Sequence, residues 1–293
     1  MTHSIGLRLH DAAGATLRER LSNAKAQGFS CVHLALSKTL SGFTMLDAPA
    51  LMTDRLAKDV TGALAESGLS VAVLGCYLNL ATPDEEALRR TTASYRAHLR
   101  FARQIGALVV GTETGAPNAQ YRTCPECWTE DALALLIDRL TPVVRAAEEE
   151  GARIAIEPVC RHIVNTPARA RQVLETIDSP ALCVILDAVN LLTPDNCARA
   201  DEVIGEAVRL LGDRIAVMHW KDYRAVPDRP DLAATACGLG EMRYGALASF
   251  AAAHPEVPIT LENTAPDNAE ATRLFVASQL AAATPAPRRT DFA

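Results

Sequence analysis

The 293-residue sequence has no excess of positive charge: 29 Lys and Arg face 35 Asp and Glu, a formal charge of -6. Nucleic-acid surfaces carry a basic footprint, so this balance argues against such a partner. No apolar run approaches the ~18 residues of a membrane-spanning helix. The opening MTHSIGLRLHDAAG lacks a charged start followed by a long apolar stretch, so no signal peptide is read. Eight cysteines are not dense for this length, and Cys31, Cys76 and Cys183 sit in apolar runs, where a reduced thiol packs as a small hydrophobe. No G-x-G-x-x-G follows the first apolar run, which removes support for a dinucleotide fold. These absences point to a reduced, cytoplasmic, soluble protein without a membrane or nucleic-acid partner. What remains is an ordinary globular chain, 49% hydrophobic, long enough to bury a core without staples.

Short apolar runs recur along it at Ile5–His10, Cys31–Leu36, Leu69–Cys76, Ala107–Gly111, Arg153–Glu157, Leu182–Asp187, Ile215–His219 and Pro258–Glu262. Continuous rather than alternating runs are expected of strands buried on both faces. Between them lie amphipathic stretches of helical length: Thr16–Gln27, Leu51–Ser67, Asp84–Ile105, Thr129–Glu150, Pro167–Ile177, Asp201–Leu211 and Tyr244–Ala253, with Asn268–Ala283 after the last run. Gly28, Gly68, Gly106 and Gly151 each stand where a helix must stop before a strand. Thr82-Pro83-Asp84 and Thr166-Pro167 read as helix starts. Eight strands alternating with eight helices predict a parallel sheet with right-handed crossovers, closing as a single-domain (β/α)₈ TIM barrel over residues 1–285. The Ala/Pro-rich end leaves 286–293 as a tail. Two long loops, Ser37–Ala50 and Lys221–Arg243, belong to the active-site face of such a barrel.

The ends of four successive runs carry the chemistry. IAIE ends at Glu157, VILD at Asp187, IAVMH at His219 and ITLE at Glu262. One acid after a strand is most often a helix cap or a solvated loop residue. Four such groups in register, three of them acidic, would repel one another in a narrow mouth without a cation. Hard oxygens with one imidazole suit Mn2+ first, then Mg2+, Co2+ or Zn2+, and the lack of a thiolate speaks against a structural zinc.

The runs IAIEPV, VILDAVNLL, VMHWKD, GLGEMRYGAL and ITLEN resemble the sugar phosphate isomerase/epimerase family, the xylose-isomerase-like barrels. Ketose 3-epimerases, hydroxypyruvate isomerase, inosose dehydratase and endonuclease IV share that superfamily. The resemblance runs from the first strand to the last helix, and is strongest in the ordered Glu–Asp–His–Glu set with Lys221-Asp222 after the histidine. It implies one divalent metal on Glu157, Asp187, His219 and Glu262, with Glu157 and Glu262 also serving as the acid/base pair. The reaction it implies is isomerisation or epimerisation of a sugar, ketose or cyclitol through a cis-enediolate. The alternatives are a lyase on the same scaffold, a non-catalytic sugar-binding barrel and, last, a phosphodiesterase. Many members carry His three residues after the strand-six Asp, where this chain has Asn190, a poorer ligand that either bonds a substrate hydroxyl or caps a helix. A polyol or sugar substrate and a homodimer or tetramer complete the expectation.

Six residues are expected to touch substrate: His10 at the end of the first strand, Glu113 at the end of the fourth, His162 in the loop after Glu157, Asn190, Lys221 and Arg243, the last swinging over from the long seventh loop. Arg161 reads as an anion clamp or a solvated loop residue, and Tyr77 and Asn79 as pocket lining. His33, inside the second strand, points either into the barrel or toward the helices. The lone Cys124-Pro-Glu-Cys127 lacks the second pair of a zinc site and reads as a loop feature.

Overall fold

The computed structural model describes residues 3–227 and 229–285, so the expected tail at 286–293 lies outside it. The described strands are β1 Ile5–Arg8, β2 Cys31–Leu34, β3 Ser70–Gly75, β4 Val109–Glu113, β5 Ile154–Glu157, β6 Leu182–Asp187, β7 Ile215–Trp220, β8 Asp222–Arg224, β9 Ala233–Thr235 and β10 Ile259–Leu261. Eight of them close a parallel barrel in the order β1-β10-β7-β6-β5-β4-β3-β2, and β8 and β9 form a separate antiparallel pair. The single-domain (β/α)₈ barrel is therefore present.

The helices are α1 Leu17–Ala26, α2 Leu36–Thr39, α3 Ala48–Leu51, α4 Asp54–Ser67, α5 Glu85–Ile105, α6 Glu130–Glu150, α7 Pro167–Ile177, α8 Ala200–Leu211, α9 Gly245–Ala253 and α10 Ala269–Ala282. Their starts are written locally. Thr16 and Glu19 make a full capping box, Asp84 accepts from Glu86 N and Ala87 N, and Thr129 and Thr166 cap α6 and α7. Gly106 and Gly151 end α5 and α6 at φ 70° and 62°. The apolar faces of the long helices pack on the barrel, giving one continuous core that includes Leu7, Tyr95, Phe101, Leu133 and Trp220. No described helix is long and apolar enough to cross a membrane.

Two departures bear on function. β1 stops at Arg8 and the chain turns through a 3-10 segment, Leu9–Asp11, so His10 is not a strand residue. Buried Leu9 prolongs the apolar pattern past the true strand end. The long loop after β7 is also not irregular throughout. The buried Asp222 carboxylate accepts from Tyr223 N (2.8 Å), Gly238 N (3.0 Å), Met242 N (2.7 Å) and Tyr244 Oη (3.1 Å), and this folds the 238–244 segment back onto β8.

Candidate metal centre and active site

Successive strand residues alternate sides, and the small residues inside the barrel form their own cluster, with Cys31, Val73, Ala155, Cys183, Ile185 and Val217 among them. Two positions further along these strands stand His33, Gly75, Glu157, Asp187 and His219, and the matching positions of β1, β4 and β10 hold Arg8, Glu113 and Glu262. The floor of the mouth is thus the top layer of the barrel interior. Its packing demands glycine at Gly111, where an added Cβ would meet Val73 Cγ1 at 2.6 Å and Ile185 Cδ1 at 2.8 Å.

His219 is the centre of this floor. It is 1% exposed, and its Nδ1 lies 3.2 Å from Glu157 Oε2 and 3.4 Å from Glu262 Oε1. Neither ring nitrogen has a hydrogen-bond partner of acceptable geometry. His33 stacks on it at 5.2 Å and accepts or donates through Nε2 to Tyr77 Oη at 3.3 Å. Ligand atoms of Glu157, Asp187 and His219 fall within 4.8 Å of one another, and so do those of His33, His219 and Glu262. The expected quartet therefore appears as two overlapping trios sharing His219, with His33 added. Between Asp187 and Glu262 stands Lys221, whose buried ammonium sits 2.8 Å from Asp187 Oδ2 and 3.1 Å from Glu262 Oε2. A buried, unbonded imidazole facing two carboxylates is a place that a cation stabilises, and this donor set fits a divalent ion.

Protons and side-chain cations take up part of that role. Burial disfavours the charged His219 ring, but Glu157 and then Glu262 outweigh it, raising its pKa to about 9. Burial also works against ionised Glu262, yet Lys221, His219 and Arg8 hold its carboxyl well below the usual range. Asp187 is pushed up to about 6 by burial, against the pull of Lys221. Burial, then Glu157, raises Glu113 to about 7. His33 stays neutral because burial, then His219, lowers its pKa well below the ordinary value.

The remaining expected residues separate cleanly. His10, Glu113, Asn190 and Lys221 all line the mouth cavity, as do Arg161 and Tyr77. Asn190 neither caps a helix nor stands free: its Nδ2 donates to Glu157 Oε1 at 2.5 Å and its Oδ1 accepts from Lys221 Nζ at 2.8 Å. His162 stands behind Glu113, with Nδ1 3.6 Å from Glu113 Oε2 and its ring against Tyr121. Arg243 is not brought to the mouth. Its side chain is 75% exposed and reaches Asp201 at 3.4 Å, because the Asp222 anchor folds residues 238–242 away from the cavity. Asn79 bonds Ala116 O and Asn118 O instead of facing the pocket. Cys124 and Cys127 lie 3.7 Å apart, sulfur to sulfur, and neither lines the cavity. Arg8 and Tyr121 were not anticipated. Arg8 Nη1 is 3.9 Å from Glu262 Oε2, and Tyr121 Oη donates to Glu113 Oε2 at 3.3 Å. Strand alternation marks Arg8, two residues beyond Gly6; for Tyr121, on an irregular loop with φ 55°, no sequence signal exists.

Residues 21–278 match the family model of the xylose isomerase-like TIM barrel, and the chain belongs to that family. No curated protein sequence matches it. Solved structures share the fold at low identity. A 3-keto-D-glucoside 4-epimerase from E. coli superposes with a TM-score of 0.71 at 17% identity, over 94% of this chain and 100% of that one. An IOLI protein with a bound zinc atom gives 0.67 at 16%, over 95% of each chain. A xylose isomerase-like barrel from Mycobacterium smegmatis in complex with magnesium gives 0.66 at 17%, over 94% and 93%. A fusion of such a barrel with a 4-hydroxyphenylpyruvate dioxygenase matches at 0.66 and 20% over 96% of this chain, which spans only 42% of the fusion. At these identities the likeness establishes the fold alone.

Proposed function

We propose that this chain is a divalent-metal-dependent isomerase or epimerase of a small polyhydroxy carbonyl compound: a sugar, ketose or cyclitol. The observation that carries the reading is the convergence of Glu157 and Glu262 on the unbonded, buried His219, at the floor of a cavity of about 490 Å³. That volume suits a ligand of sugar size. Solved barrels of this fold with zinc or magnesium bound, and one named as a sugar epimerase, support it.

Glu157, Asp187, His219 and Glu262 would hold the ion, with Mn2+ expected first and His33 a further nitrogen beside them. When bound, a divalent ion supplies Lewis acidity that favours an oxyanion beside the breaking C–H bond. The rest falls to the chain itself. β5 and β10 are separated by β6 and β7 around the barrel, so Glu157 and Glu262 approach a substrate from different sides. One carboxylate takes the proton from carbon. The other returns a proton to the opposite face, which epimerises, or to the neighbouring carbon, which isomerises. Asn190 fixes Glu157, and Lys221 fixes Glu262, so both carboxylates are held before substrate arrives.

Deuterium incorporation from D₂O into a panel of ketoses and aldoses, with Mn2+ or Mg2+ added, tests this reading. Glu157→Gln and Glu262→Gln should each lower exchange by about 10²–10⁴-fold, the contribution of one general acid or base, with the circular dichroism of the fold retained. Wild-type exchange in either variant, or exchange indifferent to EDTA, overturns it. A product absorbing as an α,β-unsaturated carbonyl marks elimination instead.

A further inference from the structure

The cavity wall above β1 and β2 supplies no proton donor or acceptor to the transfer just described, and touches it only through the charge of Arg8 near Glu262. Arg8, His10 and Lys38 line it, while Val159, Val189 and Leu192 line the side above β5 and β6, directly across the barrel. The second side also carries Arg161, but that cation is paired with Asp231 at 3.0 Å, whereas the β1–β2 side holds cations with donors to spare, over a floor of carboxylates.

The cationic wall is only partly satisfied. Arg8 uses Nε (3.0 Å) and Nη2 (3.4 Å) on Asp11, whose Oδ2 also accepts from Thr264 Oγ1. Its Nη1 faces Glu262 at 3.9 Å, beyond hydrogen-bond reach. His10 has a buried Nδ1 with no partner. Lys38 is exposed, and its ammonium meets no acid among the described residues. The other two cations of the cavity are engaged, Arg161 with Asp231 at 3.0 Å and Lys221 with Asp187 and Glu262. Burial lowers the His10 pKa, Arg8 and Lys38 lower it further, and Asp11, 3.8 Å from its Nε2, and Glu262 oppose them, so both cations of this wall act on the His10 ring. A guanidinium edge, an ammonium and a neutral imidazole together offer donors with few acceptors. A neutral polyol, whose hydroxyls both donate and accept, has no need of such a wall; an anionic group, repelled by the carboxylate floor, is matched by these donors at the rim.

We infer that the substrate carries an anionic oxygen group, a carboxylate or a phosphate, received by Arg8 Nη1, Lys38 Nζ and His10 at the β1–β2 side of the mouth. The inference rests on the isomerase reading for the reacting end of the substrate, but the anion subsite is testable without turnover.

The probes are orthophosphate and acetate, titrated calorimetrically into the full-length protein without added metal, in wild type, Lys38→Gln and Arg8→Gln. Lys38 is exposed, so its variant leaves the fold intact. Saturable binding of at least one probe, weakened tenfold or more by Lys38→Gln, is expected. Phosphate alone binding points to a phosphorylated substrate and acetate alone to a sugar acid or keto acid; both outcomes support the subsite. No saturable binding, or equal binding in wild type and Lys38→Gln, overturns it. In the deuterium assay, acidic panel members should exceed their neutral counterparts by tenfold or more in kcat/KM, with Lys38→Gln removing that preference through KM. Exchange confined to neutral members overturns the anionic substrate and leaves the isomerase reading standing. Lys38-dependent anion binding with no exchange from any member does the reverse.

Discussion

Lys221→Met is the most revealing single change, because it removes the one ammonium that holds the carboxylate floor together. Lys221 is 7% exposed and contacts Asp187 at 2.8 Å and Glu262 at 3.1 Å, with Asn190 Oδ1 accepting a third contact at 2.8 Å. At an effective dielectric of about 20, each ionic contact near 3 Å is worth roughly 5 kcal/mol before desolvation. Much of that offsets the cost of burying the charges, and breaking a buried pair from one side costs about 3–5 kcal/mol. Methionine fills the space and recovers part of this by apolar packing, so about 3 kcal/mol is expected, or a Tm lower by roughly 6–12 °C for a domain of this size. The size of the gap depends on cations. With EDTA the variant should melt far below wild type. With millimolar Mn2+ or Mg2+ the gap should narrow, since a cation among Glu157, Asp187 and Glu262 replaces the missing charge and stabilises by mass action. Differential scanning calorimetry at pH 7.5 gives both numbers. A gap under about 2 °C in EDTA, or the same gap with and without the ion, refutes the view that Lys221 and a divalent ion serve the same carboxylates.

Glu113→Gln should show the cost of an ionised carboxylate beside Glu157. The folded pKa is raised to about 7, chiefly by burial, above the ordinary 4.5, so stability falls as pH rises through that window. The amide mimics the protonated acid and should leave stability unchanged near pH 4.5 while raising it at pH 8 by about 1–2 kcal/mol, after allowing for solvent reaching the cavity. Urea denaturation in EDTA at the two pH values checks this, and equal or lower stability at pH 8 contradicts it. Asp222→Ala leaves the Tyr223 and Met242 N–H groups and the Tyr244 hydroxyl without their acceptor, and Gly238 N with only the Tyr244 oxygen at 3.3 Å, a local cost of about 3 kcal/mol or more. Hydrogen exchange should quicken at Gly238 and Met242 while barrel strands stay protected; unchanged exchange there would show the anchor to be idle. Arg243→Ala should alter kcat/KM less than twofold, and a tenfold loss would mean that the side chain leaves Asp201 and closes over the mouth.

The fold was legible because it is written twice, in continuous apolar runs and in caps. Pro167–Ile177 is a helix at the residues read for it, and β6 spans the expected Leu182–Asp187. Legibility failed where apolar spacing continued through a change of backbone. Leu7 and Leu9 are both buried, which looks like a strand running on to His10, yet Leu9 belongs to a 3-10 turn and packs into the core from there. The β8–β9 hairpin was hidden for the opposite reason. Ala233–Thr235 is partly exposed and carries no apolar pattern, and its position is set by backbone pairing with Asp222–Arg224, nine or more residues back in the chain.

The site was half legible, and the missing half follows from one physical rule applied too narrowly. Asking only which residue ends each run finds Glu157, Asp187, His219 and Glu262, whose runs happen to end at the mouth. Asking which residue lies two beyond an interior one also finds Arg8 after Gly6 and His33 after Cys31, and reaches Glu113, already read at a strand end, from Gly111. That rule settles His33, which pattern alone left between barrel and helices: its ring lies against His219, inside the barrel. Strand alternation cannot reach contacts made by loops, such as Tyr121 on Glu113 or Lys38 at the rim. These depend on how each loop folds back over the barrel. The proton-transfer end of the proposed substrate therefore falls to residues the strands place, while the end that distinguishes one substrate from another falls largely to residues the loops place.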